Sequence, residues 1–212
     1  MSFEEHYKTS HTFWSCQDAY PNYDFTNIRR MHDMMFISKY TPDARSLLDI
    51  GCGDGTISRM IAQLSNIENF HHVDVSDKLL KIARDKWHLE KYATFTSWDV
   101  CKIQHPVSVD LAIMLGVTPY IFDDKDLLNV LKDIHTKYLV VRSPCTLKKE
   151  DEIINKFSAN LNDMYAANYR TIGNLLNIIS DIYIIHNVQR SYPDEIESRF
   201  GTKQFIVFCE KT

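Results

Sequence analysis

One stretch of the chain decides the fold: Leu47-Leu48-Asp49-Ile50-Gly51-Cys52-Gly53-Asp54-Gly55-Thr56-Ile57-Ser58-Arg59-Met60-Ile61-Ala62-Gln63-Leu64. It opens as a short apolar strand pattern, passes through a turn with three of the chain's six glycines, and continues with the spacing of a helix. Glycine adopts unusual backbone dihedrals and lets a ligand approach the main chain without meeting a Cβ. A strand, a bare turn and a helix N-terminus in this order are typical of a nucleotide-cofactor site.

The spacing of the glycines separates two classes of cofactor. A dinucleotide fingerprint would place its third glycine at position 56, but Thr56 stands there and the third glycine is Gly55. The D-x-G-x-G-x-G spacing that begins at Asp49 instead resembles motif I of the class I S-adenosylmethionine (AdoMet)-dependent methyltransferases. An NAD(P)-linked oxidoreductase stays an alternative, because it shares the strand–glycine–helix start.

The sequence after this motif continues the resemblance. A second strand pattern at residues 69–75 contains Asp74, which lies 23 residues after Gly51 (74 − 51), close to the ~20 expected for a carboxylate that binds ribose hydroxyls. Ser76 is the predicted N-cap of the helix that follows. A third strand pattern leads into Asp99 and a fourth, at residues 109–115, leads into Gly116. The resemblance covers roughly residues 45 to 143, with a weaker continuation to the C-terminus.

The resemblance implies roles for the residues at these strand ends. Asp49 would support the glycine turn, Asp99 would meet the adenine amino group, and the end of the fourth strand would face the reacting methyl group. A basic residue on the preceding helix, Arg29 or Arg30, would bind the cofactor's carboxylate, and Cys52 is interpreted as a packing residue. The expected cofactor-binding residues are Asp49, Gly51, Cys52, Gly53, Asp74, Val75, Asp99, Val100, Leu115, Gly116, Trp14 and Arg30.

The alternation of strand and helix patterns through residue 143 predicts a mainly parallel sheet with helices on both faces. The resemblance implies a Rossmann-like α/β fold with seven strands, the last of them antiparallel. We expect a single domain over residues 1–212. Its parts would be an N-terminal lid or cap (1–40), a cofactor-binding core (45–143), a mostly helical substrate-side insertion (144–180) and closing strands (181–212).

Composition excludes several classes of function. The net charge of −4, without a long basic tract, disfavours a general nucleic-acid surface. No run of about 18 apolar residues or secretory signal pattern occurs, and the five cysteines include no C-x-x-C pair. We therefore expect a cytoplasmic protein without a membrane span, a disulfide framework or a metal, either monomeric or homodimeric.

Several side chains could contact the methyl acceptor. Trp14 and Tyr7 could cover a sulfonium cation with their π faces or could simply pack the N-terminal segment. Tyr165 and Tyr169 are spaced to share one face of a predicted helix, and Arg170 beside them offers an anion-binding fork. If the acceptor is a hydroxyl, a base must take its proton. The candidate bases are His6, Tyr7 and His11 from the N-terminal segment, and Tyr165, Tyr169 and His186 from the C-terminal half.

The residues after the fourth strand bear on the acceptor. They read Leu115-Gly116-Val117-Thr118-Pro119-Tyr120 and lack the Asn/Asp-Pro-Pro-Tyr run that accompanies amino methylation of adenine or of a glutamine amide. The sequence therefore favours a small polar acceptor, such as a sugar, a sugar nucleotide or a natural-product intermediate. A nucleic-acid or protein methyltransferase and a catalytically silent partner protein remain alternatives.

Overall fold

Six helices and nine strands form the part of the chain that the computed structural model describes, namely residues 2–15, 26–40, 42–102, 107–158, 163–197 and 201–212. Two 3-10 turns, Thr118–Tyr120 and Asp194–Ile196, complete it. The helices are α1 (Phe3–Ser15), α2 (Thr26–Tyr40), α3 (Thr56–Leu64), α4 (Asp77–Asp85), α5 (Asp124–Asp133) and α6 (Ile172–Ser180). The strands are β1 (Ser46–Ile50), β2 (Asn69–Asp74), β3 (Tyr92–Ser97), β4 (Val109–Leu115), β5 (Thr136–Thr146), β6 (Glu152–Ser158), β7 (Asp163–Tyr169), β8 (Tyr183–Arg190) and β9 (Thr202–Lys211).

Seven of these strands form one sheet in the order β3-β2-β1-β4-β5-β9-β8. The first five strands pair in parallel, and β9 runs antiparallel to both β5 and β8. This confirms the predicted seven-stranded sheet with an antiparallel last strand. Because β1 lies between β2 and β4, the carboxyl ends of four neighbouring strands meet at one edge, where loops from each can contact a common ligand.

Apolar residues cover both faces of this sheet. On one face, Leu47 and Phe70 of the sheet pack with Ile37 of α2 and Ile61 of α3. On the other face, Leu48 and Leu139 pack with Leu127 of α5 and Ile179 of α6. Successive residues of a strand point to opposite faces, so the run Leu47-Leu48 supplies one side chain to each layer. Helices therefore lie on both faces, as the alternating pattern predicts.

The prediction that residues 144–180 are mostly helical is wrong for the first part of that segment. Strands β6 and β7 form a separate antiparallel pair, and only Ile172–Ser180 is a helix. Tyr165 and Tyr169 lie on β7. A spacing of four residues returns to the same face in a helix and also in a strand, so the tyrosine spacing could not distinguish the two structures.

The N-terminal segment contributes two helices. The helix expected to carry Arg29 or Arg30 is present as α2, whereas α1, which has no clear periodicity in the sequence, was not predicted. In α1 the side chain of Phe13 is only 1% exposed, and the helix packs against β7 and the Thr118–Tyr120 turn. No helix in the described ranges is long and apolar enough to cross a membrane.

Candidate active site

The glycine turn, residues 51–55, leaves the carboxyl end of β1 and leads into α3. Gly51, Gly53 and Gly55 have φ values of 70°, 55° and 69°, in the left-handed region that side chains with a Cβ rarely adopt. A Cβ on Gly51 would lie 2.4 Å from Val117 Cγ2, so this residue also lets the turn pack closely against the exit of β4. The turn therefore presents bare backbone between two parallel strands, at the N-terminus of a helix.

Asp49 lies beneath the glycine turn. Its side chain is buried, and the Ser58 hydroxyl of α3 donates a hydrogen bond to it. Burial raises the pKa of Asp49 to about 7, against the opposing effect of the Ser58 hydrogen bond. The residue thus ties β1 to α3 under the turn. This position agrees with the expected supporting role and does not favour direct contact with a ligand.

Asp74, the last residue of β2, joins the glycine turn to the next strand. Its Oδ2 accepts a hydrogen bond from the Gly53 amide at 2.8 Å, and its Oδ1 accepts one from the Ser76 amide at 2.9 Å. Burial raises the pKa of Asp74, while these amide hydrogen bonds lower it. A carboxylate has about four lone-pair sites, so acceptor capacity is left for the hydroxyls of a ribose. The residues present at this position fit the nucleoside part of AdoMet.

Asp99 lies two residues beyond the end of β3, and its side chain is 16% exposed. The Cys101 amide donates to Oδ1 at 3.1 Å, while the Tyr7 hydroxyl of α1 donates to Oδ2. Lys102 Nζ lies 3.2 Å and His11 Nε2 lies 3.6 Å from the same oxygen. The N-terminal half of α1 is therefore attached at this end of the site.

The contacts of Tyr7 and His11 bear on the prediction that they are catalytic bases. Burial and the nearby Asp99 carboxylate raise the pKa of Tyr7, so its hydroxyl holds its proton. Both side chains meet Asp99 beyond β3, whereas the expected methyl position is at the end of β4, on the far side of β2 and β1. This arrangement argues against Tyr7 and His11 as the base.

The remaining expected cofactor residues lie around the same edge. Cys52 is buried in the glycine turn, and burial raises its pKa, so the thiol stays protonated and acts in packing. Val75 and Val100 are half-buried just after the ends of β2 and β3. Arg30 of α2 reaches the turn, where its Nη2 lies 3.3 Å from Asp54 Oδ1. Its predicted role with the cofactor's carboxylate stays a prediction.

Three tyrosine hydroxyls form a chain beside the end of β4, and we call these three residues the tyrosine wall. The Tyr120 hydroxyl lies 3.2 Å from that of Tyr165, which lies 3.0 Å from that of Tyr169. Tyr165 and Tyr169 share one face of β7, with Ala167 between them, so the predicted common face is present although its cause is a strand. Tyr120 was missed as a site residue. The available signal was its position four residues after Gly116, in the loop that follows the strand end expected to face the methyl group.

The tyrosine wall is packed against α1. The rings of Phe13, Trp14, Tyr120 and Tyr165 form a closed cycle with centroid separations of 5.0, 4.9, 6.0 and 5.5 Å, all in edge-to-face orientation. Trp14 therefore lies near the end of β4, and whether it covers a sulfonium or only packs the N-terminal segment stays a prediction. His6 stacks on Phe122 at 5.6 Å, next to the Thr118–Tyr120 turn.

Arg170 does not have the predicted role. The residue is 2% exposed, its Nε lies 2.8 Å from Asp124 Oδ1, and its Nη1 and Nη2 donate to the carbonyl oxygens of Thr118 and Ile121 at 3.0 and 2.7 Å. Neighbouring residues of a strand point to opposite faces, so Arg170 faces away from Tyr169. Arg170 therefore holds the Thr118–Tyr120 turn, and the prediction that it binds a substrate anion is wrong.

His186 is also remote from the site. It lies in the middle of the edge strand β8, 43% exposed, with Nε2 3.1 Å from Glu210 Oε2. Arg142 of β5, by contrast, lies close to the end of β4. Its guanidinium Nη2 would be 3.5 Å from a Cβ on Gly116, and its Nε lies 3.1 Å from Asp33 Oδ2.

Comparison with known proteins agrees with this geometry. A family described as "Methyltransferase domain" matches residues 47–137. The AdoMet-dependent methyltransferase of Clostridium acetobutylicum ATCC 824 is 14% identical, with a TM-score of 0.64 over 89% of this chain and 96% of that one. The Mesorhizobium loti AdoMet-dependent methyltransferase is 16% identical, with a TM-score of 0.65 over 86% and 98%.

The N-methyltransferase NodS from Bradyrhizobium japonicum WM9, in complex with S-adenosylhomocysteine, is 12% identical, with a TM-score of 0.66 over 97% and 98%. At sequence identities this low, the structural similarity shows that the fold is shared. No curated protein matches the chain significantly. The family match spans the glycine turn and the three carboxylates at the strand ends. Residues 47–137 thus match the methyltransferase-domain family, and the chain shares the fold of these AdoMet-dependent methyltransferases.

Proposed function

We propose that the protein transfers the methyl group of AdoMet to a small polar metabolite, such as a sugar, a sugar nucleotide or a natural-product intermediate. The observation that carries this proposal is the tyrosine wall at the carboxyl end of β4. A tyrosine has an apolar ring and a hydrogen-bonding tip, so a row of three suits a molecule with hydroxyl groups on an apolar carbon frame.

The position of α1 favours a small acceptor. This helix lies against β7 and the Thr118–Tyr120 turn, with Phe13 fully buried between them. An acceptor at the tyrosine wall therefore meets a surface already closed on one side by a packed helix. A small molecule fits such a position more readily than the surface of a folded protein or a nucleic-acid helix.

The protein's contribution to the reaction is largely positional. When bound, AdoMet supplies a methyl group already activated by a positively charged sulfur. The glycine turn, Asp74 and Asp99 would fix the cofactor, and Trp14 with Tyr120 would exclude water beside the methyl position. The tyrosine wall would orient the acceptor's nucleophilic atom toward the methyl carbon. For a hydroxyl acceptor, the remaining predicted groups on this side that could receive its proton are Tyr165, Tyr169 and His6, which stacks on Phe122.

The first prediction concerns the acceptor. Purified protein with AdoMet should form S-adenosylhomocysteine faster with members of a panel of sugars, amino sugars and sugar nucleotides than with bulk tRNA or unfolded protein. The measurement is the rate of S-adenosylhomocysteine release. The Tyr165→Phe variant should lose most of that rate and keep its affinity for S-adenosylhomocysteine, because the ring stays and only the hydroxyl is removed.

Tyr92→Phe is the matched control, since Tyr92 is a 59% exposed tyrosine on the edge strand β3. Faster methylation of tRNA or protein than of any metabolite would contradict the proposal. Cofactor binding without turnover on any acceptor class would favour the silent partner protein.

A further inference from the structure

We propose that Tyr7 is a specificity-determining residue for the cofactor: it positions the Asp99 carboxylate so that this end of the site accepts a 6-aminopurine and rejects a 6-oxopurine. The inference rests on AdoMet as the cofactor and is independent of the acceptor proposed above. It assigns to α1 a function at the nucleoside end of the site, in addition to its packing beside the tyrosine wall.

The order of the strands places the purine near Asp99. Strands β3, β2, β1 and β4 are neighbours in the sheet, and their carboxyl ends carry Asp99, Asp74, the glycine turn and Gly116. Adjacent strands are ~4.8 Å apart, so this row spans about 14 Å. An adenosyl amino acid with its ribose at Asp74 and its sulfur near Gly116 has its base at the opposite end of this row, beside Asp99.

The contacts of Asp99 determine which hydrogen-bonding groups this position offers. Oδ1 accepts the Cys101 amide, which fixes the carboxylate from the loop side. Oδ2 accepts the Tyr7 hydroxyl, which fixes it from α1, and Lys102 Nζ at 3.2 Å keeps a positive charge beside it. Two anchors on different elements leave the carboxylate little rotational freedom.

The direction of the Tyr7 hydrogen bond is the important point. An ionised carboxylate can only accept, so the Tyr7 hydroxyl must be the donor in this pair. Once its proton is committed to Asp99, the phenolic oxygen also has only lone pairs to offer. Tyr7 and Asp99 themselves therefore present only acceptors, while Lys102 Nζ and His11 Nε2 lie 3.2 and 3.6 Å from Asp99 Oδ2. The two acceptors suit the amino group of adenine and repel the carbonyl oxygen of hypoxanthine. A site built to bind an N–H group discriminates strongly against an analogue that lacks it.

The test compares two ligands that differ at this group. S-Adenosyl-L-homocysteine and S-inosyl-L-homocysteine are titrated calorimetrically into the wild-type protein, Tyr7→Phe and the matched control Tyr92→Phe. We expect the wild type to prefer the adenosyl ligand. Tyr7→Phe should weaken its binding about three- to tenfold, the effect of one hydrogen bond, with less than a twofold change for the inosyl ligand. The control should leave the ratio of affinities unchanged.

A second variant keeps the test informative if Tyr7→Phe is poorly folded. Asp99→Asn retains an oxygen for the Cys101 amide but adds N–H donors, so the affinity ratio should shift toward the inosyl ligand. Tighter adenosyl binding by Tyr7→Phe would mean that Tyr7 competes with the base, and equal losses for both ligands would mean a purely structural role. Either result overturns the inference. A wild-type protein that binds neither ligand would overturn the cofactor assignment itself.

Discussion

Asp74 serves the protein's own backbone before it serves any ligand. Its two oxygens accept amide hydrogen bonds from the glycine turn and from the start of α4, so one side chain fixes the relative positions of two cofactor-binding loops. Such amide contacts hold the carboxylate in one orientation at the strand end. A ribose would therefore meet a hydrogen-bond acceptor that is already oriented, which reduces the conformational entropy lost on binding.

Asp74→Ala should weaken AdoMet binding ~30- to 100-fold, because charge-assisted hydrogen bonds to two ribose hydroxyls contribute ~2–3 kcal/mol. Calorimetry measures the affinity, and circular dichroism checks that the variant is folded. Asp77→Ala is the control, because Asp77 is an exposed acid close to Asp74 in the chain, in the first turn of the helix α4 that follows β2. A loss below threefold in a folded variant would restrict Asp74 to holding the loops together.

The carboxylates could be placed from the sequence because each follows, or ends, a recognisable strand of a parallel sheet. That argument needs only the strand ends and not the side-chain contacts. The sequence could not reveal that Asp99 accepts a hydrogen bond from Tyr7, because 92 residues separate the two and α1 has no strong helical pattern. The direction in which the Arg170 side chain points could not be predicted either, because it depends on whether residues 163–170 form a strand or a helix.

At the scale of elements, β7 holds the Thr118–Tyr120 turn from two sides. One face of the strand carries Tyr165, whose hydroxyl meets that of Tyr120. The other face carries Asn168, whose side-chain amide donates to the Phe122 carbonyl at 2.9 Å, and Arg170 follows at the strand's end. A turn is held rigidly when its carbonyl groups have fixed donors, so β7 determines where Tyr120 lies.

The contacts of Asn168 and Arg170 with the carbonyl groups at this turn form what we call the clamp. Removing the Arg170 part of it should destabilise the protein. In Arg170→Met, the buried carbonyls of Thr118 and Ile121 lose their donor, which should lower the free energy of unfolding by ~2–4 kcal/mol. Asp124 is 48% exposed and can be hydrated, so the loss of its ion pair adds little. Urea denaturation measures the change. Lys81→Met, which removes a 73% exposed lysine paired with Asp85, should have almost no effect, and a similar stability for both variants would contradict the clamp.

The β6–β7 pair shows why some elements could not be predicted. Its strands join neither edge of the main sheet, and their stability comes from pairing with each other and from contact with α1. A five-residue pattern such as Tyr165-Ala166-Ala167-Asn168-Tyr169 carries no information about those partners. Strands β1, β2 and β4, in contrast, were predictable because each is a largely buried run that a helix follows along the chain.

For the whole molecule, α1 connects the two halves of the site. Tyr7 meets Asp99 beyond β3, and Phe13 is buried beside β7, which lies outside the main sheet. The helix rises 1.5 Å per residue, so these six positions span about 9 Å. The sheet core does not include α1, since the two apolar layers are built from other helices.

Removal of residues 1–15 should therefore leave a folded sheet but abolish most methyl transfer. The truncated protein would lose Tyr7 beside Asp99 and Trp14 beside Tyr120, so both the cofactor and the acceptor would be less well enclosed. Circular dichroism reports the fold, and S-adenosylhomocysteine release reports turnover on the best metabolite of the panel. A chain shortened only by its first two residues is the control. Full turnover in the longer truncation would show that α1 acts in packing alone.

The alternation of side chains along β7 has a consequence for how this protein can change over evolutionary time. Residues 165, 167 and 169 share the face of β7 on which we propose that the acceptor binds, whereas Asn168 and Arg170 hold the turn from the opposite side. If that proposal holds, substitutions at Tyr165 and Tyr169 would change the surface offered to the acceptor while the contacts of Asn168 and Arg170 with the turn stay intact. One short strand would then carry specificity on one face and stability on the other, so the two properties could diverge independently during evolution.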